Sequence, residues 1–110
     1  MSDLGPARVR MPETAKRGDA VEVRTMITHP MESGFRLNNV GQPIPRHIVQ
    51  SFTCTYSGKE VFRAKLHPSV STNPYFVFYV VATQSADLIF TWSDDRGGVA
   101  TYTAHLTVND

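Results

Sequence analysis

The run Tyr75-Phe76-Val77-Phe78-Tyr79-Val80-Val81 constrains this chain more than any other stretch. Every residue in it is aromatic or β-branched. Such side chains fit a pleated strand and lose freedom in a helix. Successive side chains of a strand point to opposite faces. Phe76, Phe78 and Val80 therefore share one face and can fill a core. Tyr75, Val77, Tyr79 and Val81 share the other and need a second cover, because an apolar strand without alternation is buried from both sides. Two sources of cover are open: a partner chain, or a segment of this chain such as the long connection at residues 29–47. Tyr75, Val77, Tyr79 and Val81 are thus candidate partner-interface residues, since aromatic side chains bury large areas with few rotatable bonds.

The neighbouring strands follow from the same period of two. Phe52, Cys54 and Tyr56 alternate with Thr53 and Thr55. After a Ser57-Gly58 turn, Phe62, Ala64 and Leu66 alternate with Arg63, Lys65 and His67. This predicts a hairpin of Ile48–Tyr56 and Lys59–His67. Upstream, Val21, Val23, Thr25 and Ile27 share one face of a half-buried strand over Ala20–Thr28. A turn at Ala15–Asp19, centred on Gly18, precedes it, and Ala7–Met11 reads as a short edge strand ended by Pro12. Pro68–Pro74 reads as a loop. Downstream, Leu88, Phe90 and Trp92 face inward, Asp94–Gly98 makes a hairpin loop, and Ala100, Tyr102, Ala104, Leu106 and Val108 line one face of the last strand. About seven strands without helical periodicity predict an all-β fold, a β-sandwich of immunoglobulin or fibronectin type. At 110 residues, the chain suits a single domain over residues 1–110.

Several function classes fall away. A net charge of +1 is too small for a nucleic-acid surface or an anionic membrane. No apolar run reaches the roughly 18 residues of a membrane helix. The opening stretch, MSDLGPARVRMPET, lacks the apolar core of a secretory signal, so the residues alone suggest a cytoplasmic protein. Cys54 is the only cysteine and reads as a small buried hydrophobe.

Catalytic constellations are missing too. There is no Gly-x-Ser-x-Gly elbow, and Cys54 sits mid-strand, where side chains are packed rather than presented. Gly97-Gly98 lies between strands, with no helix to hold a phosphate. Asp94 and Asp95 are adjacent and read as turn residues rather than an acid/base pair. His29, His47, His67 and His105 form no His-x-x-x-His or Cys-x-x-Cys spacing and read as isolated surface or strand-end residues. We therefore assign no catalytic, cofactor-binding or metal-binding residue. His29-Pro30-Met31 does resemble a short motif of superoxide reductases, which hold iron on a similar sandwich. Their Cys-x-x-His ligand pair is absent, because Thr55, Tyr56 and Ser57 follow Cys54.

Four stretches, in order, carry a broader resemblance: TMITHPMESG (Thr25–Gly34), GQPIPRHIVQSFTCTYSGKEVF (Gly41–Phe62), LHPSVSTNPYFVFYV (Leu66–Val80) and FTWSDDRG (Phe90–Gly97). Together they resemble the SoxZ family, small subunits of the thiosulfate-oxidising Sox system. The resemblance implies an immunoglobulin-like scaffold subunit without catalytic residues or cofactor. It implies a heterodimer with a SoxY-like subunit, whose Gly-Gly-Cys-Gly-Gly arm bears the sulfur intermediate. It also implies presentation of that cargo to periplasmic Sox enzymes, and a periplasmic location reached by co-export with the partner. That replaces the cytoplasmic expectation. This sequence has no glycine-flanked cysteine, so the covalent carrier is expected on the partner. The 29–47 connection holds three prolines and two glycines, which resist both helix and ladder, and a local turn or small hairpin is expected at its Asn39-Val40-Gly41 tip. Connections this long are commonly functional. On this reading His29, Pro30, Met31 and Arg36 are candidate contacts for the carrier arm or client enzymes. The rival classes are a stand-alone β-sandwich binding module and a superoxide reductase-like iron domain.

Overall fold

The alternations seen in the sequence become two packed sheets in the computed structural model, which describes residues 5–67, 70 and 72–110. Eight strands run through the described residues: β1 (Ala7–Arg10), β2 (Thr14–Lys16), β3 (Ala20–Ile27), β4 (Val49–Tyr56), β5 (Lys59–Lys65), β6 (Tyr75–Val81), β7 (Ala86–Asp94) and β8 (Val99–Asn109). A three-stranded sheet has the order β1-β3-β6, and a five-stranded sheet the order β2-β8-β7-β4-β5. The protein is all-β, with the sandwich architecture expected from the pattern.

The inward faces of β3, β4, β6 and β7 match their predicted sets, whereas on the last strand Leu106 is buried and Tyr102 is exposed. Val21, Val23, Thr25 and Ile27 of β3 are buried, as are Phe52, Cys54 and Tyr56 of β4, Phe78 and Val80 of β6, and Leu88, Phe90 and Trp92 of β7. Phe52 lies at the centre. Its ring stacks on Phe76 across the sandwich, 5.0 Å between centroids and 7° between planes, and lies 5.1 Å from Trp92. A second crossing stacks Phe62 of β5 on Phe78 of β6 at 4.3 Å. Tyr56 closes the far end of β4. Its phenol oxygen accepts from the Thr83 and Gln84 N–H groups, at 3.2 and 3.0 Å, and its hydroxyl donates to the Gln84 carbonyl.

One element differs from expectation. Gly18 does hold a turn, with φ of 93°, but the residues before it form β2, parallel to Thr107–Asn109 of β8. Three residues cannot display a period, and their pairing partner lies at the opposite end of the sequence. Pro12 explains the break between β1 and β2. Without an N–H it cannot continue a ladder, and the chain passes there from the smaller sheet to the larger. The loop expected at Pro68–Pro74 lies partly outside the described residues, as do residues 1–4.

Replacing Phe52 by Ala empties the ring layer between the sheets. A buried Phe→Ala change costs about 3–5 kcal/mol, much of a small domain's stability. Urea unfolding should show that loss as a lower midpoint at an unchanged slope. A loss under about 1 kcal/mol would mean that the layer contributes little.

Candidate functional site

The inward packing of Phe76, Phe78 and Val80 decides where the rest of β6 goes. Tyr75, Val77, Tyr79 and Val81 stand on the outer face at 53, 45, 63 and 58% exposure. The long 29–47 connection does not lie over them, and no described segment covers them. Tyr79 donates its hydroxyl to Glu22 Oε2 at 3.1 Å, and Glu22 pairs with Arg24. Arg24, then Tyr79, holds the Glu22 carboxyl below its usual range, and Glu22 pushes the Tyr79 phenol up. Beside the face, an open cleft of about 470 Å³ runs between the edges of β5 and β6, lined among others by Lys59, Val61, Tyr79 and Val81.

The 29–47 connection is more ordered than its prolines and glycines suggested. Glu32 and His47 exchange backbone hydrogen bonds at 2.8 and 2.9 Å, Ile44 N–H donates to Arg36 O at 2.8 Å, and Asn38 N–H to Gln42 O at 2.8 Å. The Asn38 side-chain oxygen accepts from Val40 and Gln42 N–H, both at 3.0 Å, and Gly41 supplies a φ of 79° at the expected turn. The result is an irregular two-stranded arm. Phe35 is 85% exposed along its first half, with Leu37 and Val40 also in solvent.

The base of the arm is a buried polar cluster. His29 follows β3, His47 precedes β4, and Asp94 ends β7. All three are buried, and one donor atom from each lies within 4.8 Å of the others. This corrects the expectation of isolated surface or strand-end histidines for His29 and His47; His67 and His105 are indeed exposed. Asp94 Oδ2 faces His47 Nε2 at 3.1 Å, while its Oδ1 accepts from the Arg96 and Gly98 N–H groups at 2.9 and 2.6 Å. Asp94 is thus the turn residue the sequence suggested, and a core residue besides. Burial pushes its carboxyl up, but the bonds from His47, Arg96 and Gly98 outweigh burial and hold it below the usual range. Asp95 reinforces the contact, accepting from Ile48 N–H at 3.1 Å and from Arg46 at 3.0 Å.

Two imidazoles and a carboxylate are the donor set a transition metal would take. Three atoms of this set already take part in hydrogen bonds. His29 Nδ1 accepts from Met31 N–H at 2.9 Å, so its ring proton belongs on Nε2, and the His47–Asp94 bond uses the other two atoms. A metal ligand needs a free lone pair and a second-shell acceptor for its other nitrogen. Met31 N–H is a donor. The geometry is therefore that of a hydrogen-bonded clasp at the root of the arm.

The candidate contact residues separate accordingly. His29 and Met31 are buried and anchor the arm, so they are not surface contacts. Pro30 and Arg36 are exposed, and Arg36 pairs with Glu32 through its Nε at 3.2 Å. Cys54 is fully buried, and burial pushes its thiol up to about 12. A thiol so rarely ionised is no nucleophile.

The family profile described as sulphur oxidation protein SoxZ matches residues 9–105. The chain belongs to the SoxZ family. No curated protein matches it in sequence. Among solved structures, the superoxide reductase (neelaredoxin) of Ignicoccus hospitalis is similar, with a TM-score of 0.72 at 13% identity, covering 96% of this chain and 82% of that one. So is the sulfur carrier protein SoxY of Chlorobium limicola f thiosulfatophilum, with a TM-score of 0.68 at 13% identity, covering 94% of this chain and 79% of that one. Such low identities establish a shared fold. The family places this SoxZ chain in sulfur oxidation, and the structural likeness makes its sandwich one of a kind that includes SoxY.

The clasp predicts a pH dependence. The folded Asp94 carboxyl ionises below its unfolded value of about 4. Its stabilisation is therefore complete above that pH and is lost as pH falls through the folded value. Asp94→Asn should lower stability by roughly 1–3 kcal/mol at neutral pH, and flatten part of the acid-side decline seen in urea midpoints between pH 7 and 3. An unchanged acid slope would show that Asp94 contributes nothing through its charge.

Proposed function

We propose that this chain is the non-catalytic scaffold of a two-subunit sulfur carrier, pairing with a SoxY-like subunit that holds the sulfur intermediate on its own cysteine. The observation that carries this reading is the bare outer face of β6 in a member of the SoxZ family: four large apolar side chains, side by side, that the chain leaves in solvent. Exposed apolar groups of this kind mark protein–protein contacts. The inert Cys54 supports the division of labour, because it cannot reach or attack a sulfur substrate. Neither nucleic acid nor membrane has a part in this reading.

A stable heterodimer buries upwards of about 1,200 Å² in total. Four side chains do not supply that area, so the β5–β6 cleft with Lys59 and Val61 belongs to the same interface. The reading also places the complex in the periplasm, where this chain arrives by co-export with its partner. The arm, with Phe35 and Arg36 exposed along it, then serves as a contact for the carrier arm or for periplasmic Sox enzymes. Its exposed end and internally bonded backbone suit contact with a second protein.

Tyr79→Ala removes the most exposed anchor of the face without touching the core. Titration against the SoxY-like subunit should show binding weaker by about 2 kcal/mol, roughly 30-fold. Because export depends on pairing, the periplasmic share of this chain should fall with it in cells expressing both subunits. Unchanged affinity would remove Tyr79 from the interface, and unchanged export despite weaker binding would sink the co-export reading.

Deleting Leu37–Gly41 tests the arm. These residues are exposed and bond only within the arm, so folding and pairing should survive. Turnover of thiosulfate by the reconstituted pathway should slow at least several-fold. Full turnover would leave the arm no role in presenting the cargo.

A further inference from the structure

Four strands lie outermost in the two sheets: β1, β6, β2 and β5. An outermost strand offers unpaired backbone groups to any other strand, and proteins blunt it by shortness, charge, proline or a bulge. β1 has four residues, two of them Arg8 and Arg10, and β2 has three. β5 carries Lys59, Glu60, Arg63 and Lys65, and its register with β4 shifts between Cys54 and Thr55. β6 has none of these devices. Its seven residues are uncharged, contain no proline, and run in unbroken register with β3 from Ala20↔Val81 to Met26↔Tyr75.

Two bonds at its ends fix the direction of its backbone groups. Ile27 N–H donates to Pro74 O at 3.3 Å, and Ala82 N–H donates to Asp19 O at 2.9 Å. In an antiparallel ladder, opposed residues alternate between pairs that exchange hydrogen bonds and pairs that do not. Phe76, Phe78 and Val80 therefore turn their N–H and C=O groups towards β3. Tyr75, Val77, Tyr79 and Val81 turn theirs outward. These are the four residues whose side chains stand bare. Among the described residues no strand pairs with that edge. Alternating donors and acceptors along seven extended residues match one kind of ligand, another extended polypeptide.

We propose that a strand of the SoxY-like partner adds to the outer edge of β6 and continues the β1-β3-β6 sheet into the second subunit. The proposal rests on the pairing reading above and gives it a mechanism. The occupant follows from continuity and size. The edge adjoins the exposed face and the β5–β6 cleft, and the side chains of that face are too few for a stable heterodimer, so a backbone ladder supplies what they lack. SoxY shares this sandwich fold, and an open sandwich has edge strands to offer.

The test is amide hydrogen exchange by NMR on the chain alone and in its purified complex with the SoxY-like subunit. In the free chain, the amides of Tyr75, Val77, Tyr79 and Val81 should exchange much faster than those of Phe76, Phe78 and Val80. In the complex, the four outward amides should slow by at least about 100-fold, to the range of their inward neighbours. A 1:1 complex in which they stay fast would overturn strand addition while leaving the pairing intact. Failure to form any complex would overturn both. Protection already present in a dimer of the free chain would assign the edge to a second copy and overturn the proposal. Val77→Pro gives a second reading, since it deletes one outward N–H and spares the β3 ladder. A folded variant, checked by circular dichroism, should bind at least ~10-fold more weakly than Val77→Thr. Equal binding by the two would count against the ladder.

Discussion

The aromatic rings that cross between the sheets hold this fold together. The chain has one cysteine and no disulfide, and the three-stranded sheet meets the larger one through side chains alone. Phe52 on Phe76 and Phe62 on Phe78 are the near-parallel ring stacks among those contacts. They also fix register. A slip of one residue in β6 would bring Tyr75, Val77, Tyr79 and Val81 inward and put the two phenylalanines in water. The outer face is therefore a consequence of the core: once Phe76 and Phe78 are committed inward, the remaining apolar residues have nowhere within the chain to go.

The second constraint sits at one end of the sandwich. His29, His47 and Asp94 come from the ends of β3, β4 and β7, and they gather those segments, with the His29 ring edge-on to His47 at 4.6 Å and His47 bonded to Asp94 beside the β4–β7 ladder. Asp95 adds its bonds to Ile48 and Arg46. Because the arm leaves at His29 and returns at His47, this buried clasp sets where it starts and ends. The exposed ion pairs elsewhere, such as Arg17–Asp110 and Arg63–Glu60, lie in high dielectric and are worth little by comparison.

Much of this was legible in the sequence, because a strand with one buried face writes its orientation as strict alternation. The inward sets of β3, β4 and β7 could be read residue by residue. The bifacial character of β6 stood out for the opposite reason, an alternation that fails. What could not be read depends on distant pairing. β2 exists only because β8 lies beside it. The burial of His29 and His47 follows from their meeting Asp94, and a histidine's letter is the same in a clasp as on a surface. The arm was legible only as a turn or small hairpin at its tip, because its other bridges fall between prolines and glycines, where propensity argues against a ladder. Phe35, Leu37 and Val40 likewise follow no period, so nothing in their spacing marks them as exposed.

The fold shared with a superoxide reductase shows how little a sandwich says about chemistry. A scaffold of this shape can present reactive groups at its ends, in its loops or not at all, and the choice is made by a few side chains. In this chain the polar groups gathered at one end are spent on one another and on the backbone. The single thiol is locked between Phe52 and Tyr56 on the inward face of β4, where burial keeps it protonated far above neutral pH. A sulfur atom that must be loaded, oxidised and released needs an exposed thiolate on a mobile segment. Burial of Cys54 forbids both conditions at once. Many of the exposed apolar groups, by contrast, lie along β6 and along the arm, geometries that suit polypeptide partners better than small molecules. Cys54 is therefore unsuited to carry such a sulfur, which is what the proposed division of labour with a partner chain requires.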